Sequence, residues 1–343
     1  MAKQAQTESQ TQSSNRRRAV RRVLRNEIGP LPKIKNPKRR RRCRNDFALW
    51  CQTYLPHVFF RPFLPDFHGR IAKELEARVL HGGKKAISAP RGSGKSSLIK
   101  ALFLWILTSH ADRHKYLIYL GSVCGATDDA KDFILSNLES NPLLLEDYPE
   151  ICVPIRAYGG NPQKRITYRN EPVNFRWSGD SIVLPKIRGS EASEVKLQFF
   201  SISSKIRGKA TNIDGAPWRP SIVAIDDPQS DQSAESRTQV DQMARVVKKA
   251  VADLAGYDPV TQKHMEITVV AILTPIALGD LASRLLSRDE SPEYNGEIFA
   301  RLPTMPTRLD LWKAYRQLRI ESMNTHGDDR LSREFLYPFH LIL

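Results

Sequence analysis

Lys85-Ala86-Ile87-Ser88 runs directly into Ala89-Pro90-Arg91-Gly92-Ser93-Gly94-Lys95-Ser96, and an apolar run to Ser109 follows. The first four residues read as a short strand, and Ser96 to Ser109 as a helix. A glycine-rich loop that ends in Lys-Ser between a strand and a helix is the setting of a phosphate-binding loop. Gly92 and Gly94 lack Cβ, so backbone N–H groups can close around a phosphate. The start of the helix adds the positive end of its dipole. Lys95 is the residue to reach the β- and γ-phosphates, and the Ser96 hydroxyl the one to ligate Mg2+. Pro90, Ser93 and Ser97 complete the predicted nucleotide-binding segment. The strict pattern carries Gly where this chain has Ala89, and Arg91 is unusual inside such a loop. Two readings of Arg91 stay open: a contact to the γ-phosphate or to a neighbouring subunit's nucleotide, or a surface arginine.

Further along, Ser221-Ile222-Val223-Ala224-Ile225-Asp226-Asp227 is an apolar strand that ends in two acids. Ligands of open parallel sheets sit at the C-terminal ends of the strands. Asp226 is therefore the candidate Mg2+ ligand, and Asp227 the group that orients or deprotonates the attacking water. Taken without the loop, Asp-Asp-Pro is also a common turn after a strand. Tyr116 to Leu120, Ser181 to Leu184, Leu197 to Ile202 and Ile267 to Leu273 are further strand candidates. Helical stretches separate them, including one capped by Thr127 that runs to Leu138, a mostly helical Asp231 to Leu254, and one near Leu278 to Leu286. This alternation predicts an α/β domain with a mainly parallel sheet flanked by helices.

The chain has 343 residues and a formal net charge of +16. That length holds one large domain or two, at about 100–200 residues each. Residues 1–45 contain fifteen Lys and Arg against Glu8 and Glu27, a local net charge of +13. The head thus carries most of the charge. We read residues 1–45 as a disordered basic arm. Such a cluster attracts a polyanion without reading its sequence, although a solubilising tail has the same composition. No apolar run reaches the roughly 18 residues of a membrane span, and the N-terminus lacks a signal-peptide stretch. Cys43, Cys51, Cys124 and Cys152 show no C-x-x-C spacing, which argues against a disulfide scaffold or a zinc site. Reduced thiols in a cytosolic protein are expected.

In register, the segments 89–97, 120–127, 205–208, 219–228 and 269–275 resemble the ATPase domain of the large terminase subunit of tailed bacteriophages. The resemblance covers roughly residues 45–320. It implies an ASCE-type P-loop NTPase over residues 46–305 that uses ATP and Mg2+. It also implies that Arg91 is the family's loop arginine, that Asp226 and Asp227 are the Walker B pair, and that Thr274 senses the γ-phosphate. Arg207 would contact DNA or nucleotide, a purely structural arginine being the equal alternative. Phe67 and His68 stand where the family recognises adenine, with His68 in place of the usual glutamine. The implied function is a motor subunit that drives double-stranded DNA into a procapsid. Its implied partners are a portal protein, a small terminase subunit and further copies in a ring, in the host bacterial cytoplasm and away from membranes.

Large terminases carry a C-terminal nuclease, whereas 37 residues follow Pro306 here. Residues 306–343 are expected to hold a helix near Leu309 to Met323 and the truncated start of such a region, without nuclease activity. A helicase- or remodelling-type ATPase and a non-catalytic DNA-binding remnant are the alternative readings.

Overall fold

A computed structural model describes residues 27–299 and 308–336, apart from 162, 205–209, 214, 252–253, 255–256, 259–262 and 265–266. The chain divides into two compact units, Met1–Phe299 and Ala300–Leu343.

The first unit is built on an eight-stranded sheet. Its strands are β1 (Lys84–Ser88), β2 (Tyr116–Gly121), β3 (Arg176–Ser178), β4 (Ser181–Val183), β5 (Lys196–Ser201), β6 (Ile222–Asp226), β7 (Thr268–Leu273) and β8 (Glu297–Ile298). They lie in the order β8-β1-β7-β6-β2-β5-β4-β3. The pairs from β8 through to β5 are parallel. β5–β4 and β4–β3 are antiparallel. β2, β6 and β7 are buried along their whole length. A strand covered on both faces has no polar side to show, which explains its unbroken apolar reading.

Among the described residues, seven α-helices precede β3: α1 (Pro37–Arg44), α2 (Phe47–Tyr54), α3 (Arg70–His81), α4 (Lys95–Ser109), α5 (Cys124–Ser140), α6 (Pro142–Asp147) and α7 (Pro149–Tyr158). They pack with Ile87, Leu117, Ile222, Val270 and Ile272 into one core layer. α8 (Asp231–Glu235), α9 (Arg237–Arg245) and α10 (Leu281–Leu286) follow. Val240 and Met243 of α9 and Leu281 and Leu285 of α10 cover the alternate sheet residues Ala86, Ile118, Val223 and Ala271. The split follows from the period of two along each strand. α4 lies between sheet and helices and is apolar almost all round, as a fully buried helix must be.

Three sequence expectations change. The arm does not extend to residue 45. α1 begins at an Asn36 cap, whose side chain accepts from Arg39 N, with Pro37 in the first turn. Its basic residues find acids: Arg39 Nε meets the buried Asp147 at 2.5 Å, and Arg40 meets Glu150 at 2.7 Å. Asp147 also accepts from Tyr54 OH at 2.7 Å and Asn36 N at 3.1 Å. Cys43 on the same helix is buried. Residues 1–26, the rest of the expected arm, lie outside the described residues. Thr127 does not cap α5; the helix starts at Cys124, and Val123 precedes it in extended conformation. The helical run from Asp231 is interrupted at Ser236, whose side chain caps α9.

Cys43, Cys51 and Cys152 are free and buried. Among the described residues no helix is long and apolar enough to cross a membrane. In the second unit α11 (Leu309–His326) ends at Gly327, in the left-handed conformation that favours glycine, and α12 (Arg330–Leu336) follows. The buried Ser322 accepts from Leu331 N at 3.2 Å, which joins the two helices.

Candidate active site

The strand order sets β7 between β1, which leads into the loop at 89–94, and β6, which ends in Asp226. Both exits are tied to the middle strand. Ala89 N donates to Leu273 O at 3.3 Å, and Asp227 N donates to Ile272 O at 2.9 Å. Gly92 (φ 79°) and Gly94 (φ 77°) bend the loop through the left-handed region, and Gly94 caps α4.

The first turn of α4 faces the two acids. Lys95, its first residue, is buried, and its Nζ meets Asp227 Oδ2 at 2.8 Å. Ser96 Oγ donates to Asp226 Oδ1 at 2.9 Å. Tyr119 OH, from β2, donates to Asp226 Oδ2 at 2.6 Å. Thr274 Oγ1, just past β7, donates to Asp227 Oδ1 at 2.8 Å. Lys95, Ser96, Asp226, Asp227 and Thr274, all singled out from the sequence, therefore come together as two adjacent sets, Ser96 on Asp226 and Lys95 with Thr274 on Asp227. Both oxygens of each carboxylate are engaged.

The two acids occupy different surroundings. Asp226 is buried, and desolvation pushes its carboxyl above the usual range, against the pull of the Tyr119 and Ser96 hydroxyls. Burial raises Tyr119 as well, and the neighbouring Asp226 adds to it, so the phenol keeps its proton and donates. Asp227 is more exposed and takes a left-handed backbone (φ 39°). That conformation is uncommon outside glycine, and Asp is one of the few side chains that tolerates it.

Arg91 stands apart from these two sets. Its exposed guanidinium pairs with Asp231 at the start of α8, with a second contact from Nη1 to Oδ2 at 3.5 Å. Ser97 and Pro90 are half-buried beside the loop. Ser93 holds a buried Oγ with no hydrogen-bond partner among the described residues. Phe67 and His68 lie in a π-helical turn over Pro65–Gly69. Their rings meet edge to face at 4.9 Å, and Phe67 also meets Phe299 at 5.7 Å. Leu64 N donates to His68 Nδ1 at 3.4 Å. Burial lowers the His68 pKa, and the Ser93 backbone opposes the shift. Arg207 lies outside the described residues.

Three participants escape a reading of the sequence. Tyr119 sits in a run that reads only as an apolar strand. Gln229 Nε2 donates to Asp280 Oδ2 at 2.6 Å and to Thr274 O at 3.3 Å. Asp280 is fully buried and also accepts from Ile276 N and Ser283 N, both at 2.7 Å. The segment after Asp227 is thus fastened to the segment after Thr274.

Ser96 and Asp226 present a hydroxyl and a carboxylate, the hard oxygen donors that Mg2+ accepts. They are few, which suits an ion that completes its shell with phosphates and water. Among the described residues no group of three or more His, Cys, Asp or Glu could hold a metal.

No protein-family model matches the chain. No curated protein matches it either. Among solved structures it is similar to the crystal structure of the HK97 bacteriophage large terminase. The identity is 14% and the TM-score 0.42, over 87% of this chain and 52% of that one. The chain spans about half the length of that protein.

Proposed function

We propose that this chain is a Mg2+-dependent ATP hydrolase of the ASCE-type P-loop class, and the motor subunit of a double-stranded DNA packaging machine. One observation carries the hydrolase reading. Lys95 and Thr274 bind Asp227, and Ser96 binds the adjacent Asp226, at the exits of three adjacent strands. The interposed strand β7 supports the ASCE assignment, because it separates the loop-bearing strand from the acid-bearing one. The motor reading comes from the resemblance of the sequence motifs to the large terminase ATPase. Portal, small subunit, ring assembly and a cytoplasmic setting belong to the same proposal.

Each residue has a task. Lys95 leaves Asp227 for the β- and γ-phosphates, offsetting their charge. Asp227, released from Lys95 and still held by Thr274, orients the attacking water and takes its proton. Ser96 and Asp226 would hold Mg2+, which supplies charge neutralisation along the phosphates when bound. Thr274 fixes the carboxylate that faces the water. Arg91, exposed and paired with Asp231, turns toward a phosphate of its own or a neighbouring site.

The test is hydrolysis of ATP by the purified chain with Mg2+, with and without linear duplex DNA, beside Lys95→Ala. Turnover that rises with DNA and disappears in the variant is expected. Turnover that survives Lys95→Ala, or its complete absence in the folded parent under both conditions, would overturn the reading.

A further inference from the structure

Tyr119 is a phenol in a strand that packing alone would fill with phenylalanine or leucine. Its ring lies among Phe103, at 5.9 Å, and Phe199, at 6.0 Å. A hydroxyl buried there costs free energy unless it is bonded. Its bond goes to Asp226 Oδ2 at 2.6 Å.

The register explains how it reaches. β2 and β6 pair with Tyr119 opposite Ala224 and Gly121 opposite Asp226. Tyr119 and Gly121 are two apart and face the same side as Asp226. Because Gly121 has no side chain, the ring of Tyr119 can lean along the strand toward the acid. A Cβ at Gly121 would lie 3.5 Å from Tyr119 Cε1 and 3.1 Å from Thr127 Cγ2. The gap beside Asp226 is thus filled by a ring from one pleat back.

We infer that Tyr119 is a positioning residue that locks the Asp226 carboxylate so that Oδ1 alone faces Ser96 and an incoming divalent cation. The inference rests on the metal-dependent reading proposed above. A carboxylate free to rotate about Cβ–Cγ presents either oxygen, or both, to a cation. With Oδ2 held by the phenol, one orientation remains, and it is the one that places Oδ1 at 2.9 Å from Ser96 Oγ. The entropy of fixing the carboxylate is then spent in folding and not in binding the ion.

The experiment is Mn2+ binding in the presence of a non-hydrolysable ATP analogue, followed by electron paramagnetic resonance. The chains compared are the parent, Tyr119→Phe, Phe103→Leu and Asp226→Asn. Tyr119→Phe removes one hydroxyl and should weaken Mn2+ binding about tenfold or more, the usual effect of losing a hydrogen bond to a metal ligand. Phe103→Leu loosens the same ring but keeps the hydroxyl, and should stay within about threefold of the parent. Raising Mg2+ should restore hydrolysis by Tyr119→Phe, which damage to packing would not allow. Parent-like Mn2+ binding in Tyr119→Phe, with Asp226→Asn impaired, overturns the role of Tyr119 and leaves the proposed function standing. An equal loss in Phe103→Leu and Tyr119→Phe overturns it also. Equal binding by the parent and Asp226→Asn overturns both readings together.

Discussion

Thr274 Oγ1 lies 2.8 Å from Asp227 Oδ1, so the residue just past β7 holds the carboxylate just past β6. Lys95 takes the other oxygen of Asp227 at 2.8 Å. On the proposed function, a phosphate would draw Lys95 away while the threonine bond keeps the acid aimed. Thr274→Val keeps the shape and removes that bond. We expect hydrolysis to fall about 10- to 100-fold with nucleotide affinity little changed, the pattern of an interaction used in the transition state. Thr274→Ser, which retains the hydroxyl, should recover most of the rate. Steady-state kinetics with a separate nucleotide titration checks it.

Asp227 combines backbone and charge. Its left-handed backbone is tolerated by Asn almost as well as by Asp. Asp227→Asn keeps that backbone but removes the counter-charge of the buried Lys95, so it should melt below the parent. A neutral amide cannot take a proton, so hydrolysis should drop about 10²- to 10⁴-fold. Asp227→Ala should melt lower, since alanine has no polar group to support φ 39°. Thermal melts beside rate measurements decide both.

Asp147 has no exposed side-chain surface and binds Arg39, Tyr54 and the Asn36 amide. Asp147→Ala strands the arginine and two further donors, and should cost about 3–5 kcal/mol in denaturant unfolding. Arg44 makes looser contacts with Asp112 at 3.4 Å and Glu191 at 3.3 Å, all partly exposed. Arg44→Ala should stay within about 1 kcal/mol. Comparable losses in the two variants would contradict the assignment of Asp147 as the anchor of α1.

Gly296 leaves no room for any other residue. A Cβ there would lie 2.2 Å from Leu286 O and 2.5 Å from Leu286 Cα, at the end of α10. Backbone cannot turn aside as a side chain can. Gly296→Ala should destabilise by about 1–3 kcal/mol, the range of overpacking. Denaturant unfolding of the variant measures it.

Acid should weaken the first unit through two histidines. His110 Nε2 lies 2.9 Å from Arg44 O, and His114 Nε2 lies 3.0 Å from Val79 O. Burial lowers both pKa values, that of His110 to about 4. An unfolded histidine protonates near 6.5. Between those values the unfolded chain binds more protons, so stability falls as pH falls through about 6.5 toward 4. Above that window both rings are neutral in either state and the penalty is absent. The melting temperature should decline from pH 7 to 4.5, and less steeply in His110→Gln. A flat profile would refute the assignment.

The clarity of the sequence differs from place to place. The proposed phosphate-binding loop is a local pattern. The loop, Lys95 and Ser96 are consecutive, and two acids closing an apolar strand announce themselves. The buried strands and α4 are legible because burial on all sides forbids polar residues. What escapes depends on sheet order. Tyr119 has a role only because Gly121 stands opposite Asp226. Gln229 and Asp280 meet only because the exits of β6 and β7 are neighbours. The basic run at 38–44 reads as a free arm because the acids that hold it, at 146, 147 and 150, lie far along the chain. Thr127 has the composition of a cap, but the helix had already begun at Cys124.

The carbonyls of Ile272 and Leu273 receive the amides of Asp227 and Ala89 from opposite sides. In mechanical terms β7 is a keystone. Neither wall of the cleft can be lifted without pulling on the strand that holds the other, so a strain entering at the loop is shared at once with the acids. Past β7 the chain stays tied, because Ile276 N and Ala277 N donate to the buried Asp280, whereas residues 90–94 lie beyond the Ala89 bond.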